Sequence, residues 1–199
     1  MNTGQQIVIV VSLALAVWYL FFLFVNRKRG IAFYRWLREG VETLGPLADA
    51  GWVGSASSGG RMAVVKALPP FQRVEMVFLL QSREILPLWL FNLGRGKRDE
   101  LILKAWLRRP PLREVEAALK GSPPVGYRAV EDAGRLKVVV KGDAPGKALR
   151  AFLERYEAHI VSFSLQRSKP HLIIRLRLES GLDAVASAEF FRDLRRAFS

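Results

Sequence analysis

Residues Ile7–Val25 read IVIVVSLALAVWYLFFLFV, and Asn26-Arg27-Lys28-Arg29 follow directly. Ser12 is the only clearly polar side chain in the run, and none carries a charge. As a helix rising 1.5 Å per residue it spans roughly 28 Å, about the thickness of a hydrocarbon core. Trp18 and Tyr19 stand toward its C-terminal end, where amphipathic aromatics favour a membrane interface. A cleaved signal peptide would carry its positive charge before a shorter apolar run, with small residues after it. Here that order is reversed, because MNTGQQ has no charged side chain and the cations come after. The positive-inside rule makes Arg27, Lys28 and Arg29 the topology determinants. It predicts a short extracytoplasmic tail at 1–6, a transmembrane helix at 7–25 and a cytoplasmic domain beyond. The membrane expected is the cell membrane, or that of the endoplasmic reticulum in a eukaryote.

This reading explains a composition that is odd for 199 residues: 50% hydrophobic, a mean hydropathy of +0.12 and a net charge of +13. Apolarity and charge are segregated along the chain. Setting aside Arg27, Lys28 and Arg29 leaves 28 basic against 18 acidic residues, so the domain is itself basic. Such a field favours phosphate-rich partners, either RNA or anionic lipid headgroups, and charge alone does not choose between them. The absence of cysteine excludes a disulfide-stapled module, Cys-based metal sites and a thiol nucleophile. The aliphatic content and 11% aromatics exclude a disordered chain.

Beyond the anchor, Phe33, Trp36, Leu37, Val41 and Leu44 recur at helical spacing, with Arg35–Glu39 and Arg38–Glu42 as i,i+4 pairs. A basic stop and juxtamembrane amphipathic helix are therefore expected over 26–47, ending near Gly45-Pro46. Phe33, Trp36 and Leu37 could face the bilayer, a partner or the domain, and packing on the domain is preferred. GWVGSASSGG marks a Gly/Ser linker over 48–60, with the domain beginning at 61 and running to 199. Arg61–Leu68 and Phe71–Leu80 read as strands separated by Pro69-Pro70. Ile85–Leu93, ILPLWLFNL, is too short to span a bilayer. It is expected as a buried core segment, with an apolar patch (Leu88, Trp89, Phe91) facing membrane or partner as the alternative.

Arg95–Pro111, RGKRDELILKAWLRRPP, is predicted as a helix. Asp99 and Glu100 suit its positive start, and Arg108 and Arg109 suit its end. Leu101, Ile102, Ala105 and Trp106 would form its apolar stripe. The P-loop spacing is absent, so GRGKR reads as a basic turn before a helix. Such a turn can meet phosphate through Arg95, Lys97 and Arg98, or can simply be solvated. Leu112–Leu119 fits helix or strand. Arg135–Lys141 reads as a strand and Ala148–Ala158 as a helix on Leu149, Phe152, Leu153 and Tyr156. Ile160–Gln166 pairs with Leu172–Leu178 as a hairpin, placing Arg175 and Arg177 on one face. A last helix, Asp183–Phe198, buries Ala184, Ala188, Phe191, Leu194 and Phe198. The fold class expected is α+β: one transmembrane helix, then a largely antiparallel sheet packed by helices.

Catalytic constellations are missing from this pattern. His159 and His171 each stand beside a predicted strand, with no carboxylate or second histidine at metal-ligand spacing, and are expected as strand-end histidines near solvent. The serines of SASSGG lack a nucleophile elbow. No enzyme activity, cofactor, metal or small-molecule substrate is expected.

In order, these features are an N-out anchor with NRKRG, the amphipathic FYRWLREGVETL, RGKRDELILKAWLRRP, LRAFLERYEAHIVSFSL, and LIIRLRL before a terminal helix. The series resembles the calumin-like membrane subunit of the PAT complex, an intramembrane chaperone of the endoplasmic reticulum, over about Ile7–Phe198. The resemblance implies a factor assisting membrane-protein insertion at the ribosome and Sec translocon. Its implied partners are the bilayer, ribosomal RNA, and the translocon or a small membrane protein. On that reading Arg95, Lys97, Arg98, Arg108 and Arg109 form a phosphate-facing surface toward the ribosome. There are two departures from the family's pattern. No acidic lumenal segment precedes the anchor here, so no calcium-binding role is expected, and no basic coiled coil follows Phe198. Of the 31 basic residues 22 are Arg, which together with the lack of cysteine points to a prokaryotic or archaeal relative.

Overall fold

Thr3–Val41 form one uninterrupted helix, α1, in the computed structural model of the chain. The structure describes residues 2–119, 126–129, 132–142, 144–178 and 186–198. The apolar run at 7–25 and the amphipathic stretch expected over 26–47 are parts of this one helix, which ends at Val41. Nothing in NRKRGIA breaks a helix, since Arg and Lys are good helix formers and one glycine costs only about 1 kcal/mol. What changes along α1 is its surroundings. The apolar window has a mean hydropathy of 2.8 and none of it is buried. From Asn26 onward, Asn26, Gly30, Phe33, Leu37, Gly40 and Val41 are buried at the spacing of one helix face.

The strands are β1 Asp49–Trp52, β2 Gly59–Val64, β3 Phe71–Leu79, β4 Glu100–Leu107, β5 Glu114–Ala118, β6 Arg128–Ala129, β7 Lys137–Lys141, β8 Ile160–Leu165 and β9 Leu172–Arg177. Helix α2, Leu86–Gly94, lies between β3 and β4; α3, Lys147–Tyr156, precedes β8, and α4 is Ser187–Ala197. Among the described residues the strands make one sheet, ordered β1-β2-β3-β4-β9-β8-β5-β7-β6, with every pairing antiparallel. The α+β expectation therefore holds at this level, including the β8–β9 hairpin and helix α3.

Period-two burial explains why the sheet forms. Val74, Met76 and Phe78 of β3 stand opposite Ala105, Leu103 and Leu101 of β4, and Leu172, Ile174 and Leu176 of β9 continue the row. The C-terminal half of α1, together with α3 and α4, covers this face. Phe190 and Phe191 of α4 lie near Trp36, and Phe190 also meets Phe152 and Tyr156 of α3. The Tyr156 hydroxyl donates to Asp193 at 3.0 Å, and Arg155 pairs with Asp193 and Glu189 of α4. Burial and then the bond to Asp193 raise the Tyr156 phenol above its ordinary pKa, so it stays a donor.

Three expectations are corrected. The 48–60 segment is a β-hairpin, not a linker, and the domain begins at Asn26 rather than Arg61. Gly59 and Gly60 serve close packing: a Cβ on Gly60 would sit 2.6 Å from the Phe78 ring. The predicted 95–111 helix is the strand β4. Leu101, Leu103, Ala105 and Leu107 alternate inward, and β4 is paired on both sides, by β3 and β9. The ambiguous 112–119 segment is β5. Third, α4 begins at Ser187, and its buried face is Ser187, Phe190, Phe191 and Leu194 rather than a stripe through Ala188. Ala184 lies outside the described residues.

Gly30 sets how closely α1 approaches the β1–β2 turn. A Cβ there would lie 1.8 Å from the Ala56 carbonyl oxygen, a backbone atom that cannot swing aside. Gly30→Ala should therefore destabilise the protein by about 1–3 kcal/mol, as overpacking does, even though alanine is the better helix former. Denaturant unfolding of the full chain in detergent, followed by tryptophan fluorescence, checks this. An unchanged midpoint would show that the contact is not tight.

Candidate functional site

Helix α1 is joined to the sheet by a buried polar network at the point where its apolar run ends. Asp99, just before β4, is 2% exposed and accepts the Gln81 N–H at 2.7 Å on one oxygen. Its other oxygen faces two guanidiniums, Arg83 at 2.8 Å and Arg29 of α1 at 3.1 Å. Asn26, fully buried, donates to the Gln81 carbonyl and to Glu84, and accepts from Arg83 at 2.9 Å. The Asp99 carbonyl takes the Leu178 N–H, so the end of β9 joins the same knot. Burying a carboxylate is costly unless it is paired and hydrogen-bonded, and here both conditions are met.

From this knot residues 80–99 reach back along the outside of α1. Pro87, near its first position, starts α2 without wasting an N–H. Trp89 lies 5.7 Å from the Trp18 ring and 6.1 Å from the Phe22 ring, centre to centre. The Trp18 indole donates to the Arg83 carbonyl at 3.1 Å. No side chain of α2 is buried, and Ile85, Leu88, Leu90, Phe91 and Leu93 are all exposed. The preferred expectation for 85–93, a buried core segment, is thus corrected. Its composition is that of a core segment, yet the fold leaves it at the surface.

After α2 come Arg95, Lys97 and Arg98. Arg95 stacks over Phe91 at 5.0 Å, and Arg98 reaches the Lys97 carbonyl. Lys97 and Arg98 line a groove of about 410 Å³ with Leu88 and Asn92 of α2 and Leu79, Glu100 and Arg175 of the sheet. Arg175 pairs with Glu100 at 2.7 Å. The groove therefore sits between an apolar helix and a cationic rim.

The five cations expected on one phosphate-facing surface are divided. Arg95, Lys97 and Arg98 precede β4, whereas Arg108 and Arg109 follow it, roughly 30 Å away by strand rise. With β4 a strand, no helix N-terminus stands behind the first group. Arg108 donates to the Phe71 and Ala67 carbonyls, fastening the Pro69-Pro70 turn. Arg109 lines a cleft of about 370 Å³ with those prolines, Pro110, Pro111 and Phe198. Of the membrane or partner candidates, Phe33 and Leu37 are core residues and Trp36 packs half-buried against the core. Leu88, Trp89 and Phe91 remain at the surface or on α1. Sequence reasoning missed Asn26, Arg29 and Asp99 as a unit. Arg29 read as a topology charge and Asp99 as a helix-start anion, and no local signal links residues so far apart.

Among the described residues no group of three His, Asp or Glu side chains converges as a metal site. His171, expected near solvent, is buried, and its Nδ1 accepts the Leu107 N–H at 2.9 Å. Burial, and then Lys169, lower its pKa, which keeps the ring neutral and able to accept. His171 thus serves to join the ends of β4 and β9. No family model matches the chain, and a search of curated proteins finds no match.

The network makes a test. Asp99→Asn keeps an acceptor for Gln81 but leaves Arg83, 14% exposed, and Arg29, 36% exposed, facing no charge. The expected loss is on the order of 3 kcal/mol, at the low end for breaking a buried pair because Arg29 is partly solvated. Glu154→Gln, which breaks the exposed pair with Arg150, should cost less than about 0.5 kcal/mol. Thermal unfolding of the two variants side by side checks the difference.

Proposed function

We propose that this chain is a non-enzymatic, single-pass membrane protein that acts as a scaffold on the cytoplasmic membrane face. In this reading α1 is the anchor, its N-terminus lies outside, and Arg27, Lys28 and Arg29 hold the flank inside. The observation that carries it is the continuity of α1. The apolar run passes without a break into a buried helix face, so the domain is fixed to the anchor rather than tethered to it. A protein built to work away from the membrane would need a flexible connector at this point.

The basic rim suits anionic headgroups. Arg27 and Lys28 on α1 and Arg95, Lys97 and Arg98 after α2 are exposed cations flanking the same end of the apolar run. Juxtamembrane Lys and Arg are each worth about 1 kcal/mol of attraction to an anionic surface. The full chain, reconstituted in mixed bilayers, should select spin-labelled phosphatidylglycerol over phosphatidylcholine in its lipid shell. Arg95→Glu, Lys97→Glu and Arg98→Glu together should reduce that selectivity several-fold, and raised salt should reduce it in the wild type. Equal selectivity in variant and wild type would remove lipid binding from this rim.

A second reading is the one the calumin-like resemblance implies: assistance to membrane-protein insertion at the ribosome and Sec translocon. The open face of the sheet favours it. Opposite the helices, Ile102 and Trp106 of β4 and Ile173 of β9 are half-buried among Arg73, Lys104, Arg175 and Arg177. Apolar and stacking groups interleaved with cations suit a large, phosphate-bearing partner such as ribosomal RNA. Full-length protein in nanodiscs should then pellet with ribosomes at low salt, and Lys104→Glu with Arg177→Glu should weaken pelleting by at least tenfold. No pelleting at any salt would eliminate this reading and leave the scaffold.

A further inference from the structure

From the place of α2 on α1 we infer that α2 is a second membrane element, immersed in the headgroup and upper acyl region of the leaflet on the domain's side. This rests on α1 being a membrane anchor, as proposed above, and adds what that anchor demands of its neighbour. Trp89 of α2 packs against Trp18 and Phe22. Those residues lie one to two turns before Asn26, roughly 6 and 12 Å along the helix on the apolar side. Suppose the bilayer stopped short of α2. The apolar run would then shrink to Ile7–Val17, roughly 16 Å, about half of what a hydrocarbon core requires. If the full run to Val25 is immersed, α2 is immersed beside it. Interfacial helices bury their apolar side about 5–10 Å into this zone, which is the depth the contacts set.

The chemistry of α2 agrees with lipid as the occupant. Leu88, Leu90, Phe91 and Leu93 are exposed at successive angles around the helix, not along one stripe. A partner helix would cover one face and leave the others in water, whereas lipid surrounds all of them. Several of the backbone groups at its ends are satisfied internally. Pro87 has no N–H, Trp89 donates to Ile85, and the N–H groups of Arg95, Gly96 and Lys97 return to Phe91, Leu93 and Asn92. The Trp18 indole, which would otherwise bring a bare donor into this zone, is bonded to the Arg83 carbonyl. Arg95 lies over the Phe91 ring, as a cation does when its stem follows apolar surface and its head reaches phosphate.

The chain has no cysteine, so single cysteines can report depth in the intact protein. Leu90→Cys and Phe91→Cys would carry an environment-sensitive fluorophore, with Leu13→Cys in the apolar run and Lys137→Cys on β7 as references. Each full-length variant is reconstituted in vesicles of three parts phosphatidylcholine to one part phosphatidylglycerol. Nitroxide lipids labelled near the headgroup or at mid-chain then serve as quenchers. The labels on Leu90→Cys and Phe91→Cys should be quenched at least twofold more by the shallow nitroxide than by the deep one. Leu13→Cys should be quenched by the deep nitroxide, and Lys137→Cys by neither. If Leu13→Cys responds but both α2 labels behave like Lys137→Cys, the immersion of α2 is overturned and the anchor stands. If Leu13→Cys fails to respond, the anchor reading fails and takes this inference with it. Shielding of both α2 labels from aqueous iodide without lipid quenching also overturns it, in favour of a protein occupant.

Discussion

The buried carboxylate of Asp99, shared between Arg83 from one side and Arg29 of α1 from the other, is the contact around which the molecule is arranged. It occurs where the surroundings of one helix change: up to Val25 α1 is apolar with no buried residue and meets α2 at Trp18 and Phe22, and from Asn26 it is packed on the domain. Replacing such a network with matched apolar residues is often neutral or stabilising, so its presence is not explained by stability alone. Its distinguishing property is directional. Asn26 and Arg29 find their partners at one rotation and one axial position of α1, whereas an apolar face would tolerate a slide along its ridges. Gly30 and Gly40 add to this registry, because each leaves room for one particular neighbour, the Ala56 carbonyl and the Phe191 ring.

Much of the architecture is legible in the residues. Ile7–Val25 is readable because length and apolarity alone define it. The β8–β9 hairpin and α3 are readable because their burial follows one clean period. RGKRDELILKAWLRRPP is not, for a specific reason. Leu101, Ile102, Ala105 and Trp106 satisfy a helical stripe, while Leu101, Leu103, Ala105 and Leu107 satisfy a strand, and the flanking charges mimic helix caps. Only pairing with β3 and β9 decides between them, and the paired residues lie 21 to 77 positions away. GWVGSASSGG fails differently. A glycine wanted for freedom and a glycine wanted for closeness look the same in one sequence, and Gly60 is the second kind. In ILPLWLFNL the residue types say that water is to be avoided, but they do not say what replaces it.

Charge was the least legible property. A count of +13 treats every cation as surface, yet several are fasteners within the fold. Arg108 holds two carbonyls beside Pro69-Pro70, Arg195 holds the Thr43 and Pro69 carbonyls, and Arg155 clamps α3 to α4. Arginine suits this work because its planar fork serves two acceptors at once and keeps its charge. The arginine-rich composition is thus partly an internal feature, and the field offered to a partner is smaller than the net charge suggests. What remains is a rim of Arg95, Lys97 and Arg98 beside α2, which meets the open sheet face at Arg175, and further cations on that face, where Glu75 and Glu100 temper them.

These two surfaces are mechanically linked in the proposed setting. A spanning helix meets changes in bilayer thickness chiefly by tilting, at a cost of fractions of a kcal/mol per ångström of mismatch. In a protein with a flexible juxtamembrane segment that tilt would end at the membrane. Here α1 continues unbroken to Val41, its last turns lie against α4, and the Asp99 network ties its middle to the β3–β4 connection. Any tilt of the anchor must then turn the sheet, or else break a buried ion pair, and the second costs several kcal/mol more than the first. Contact of α2 with the leaflet would oppose rotation about the α1 axis, leaving tilt as the soft coordinate. The open face of the sheet would then present itself at an angle set by the surrounding bilayer.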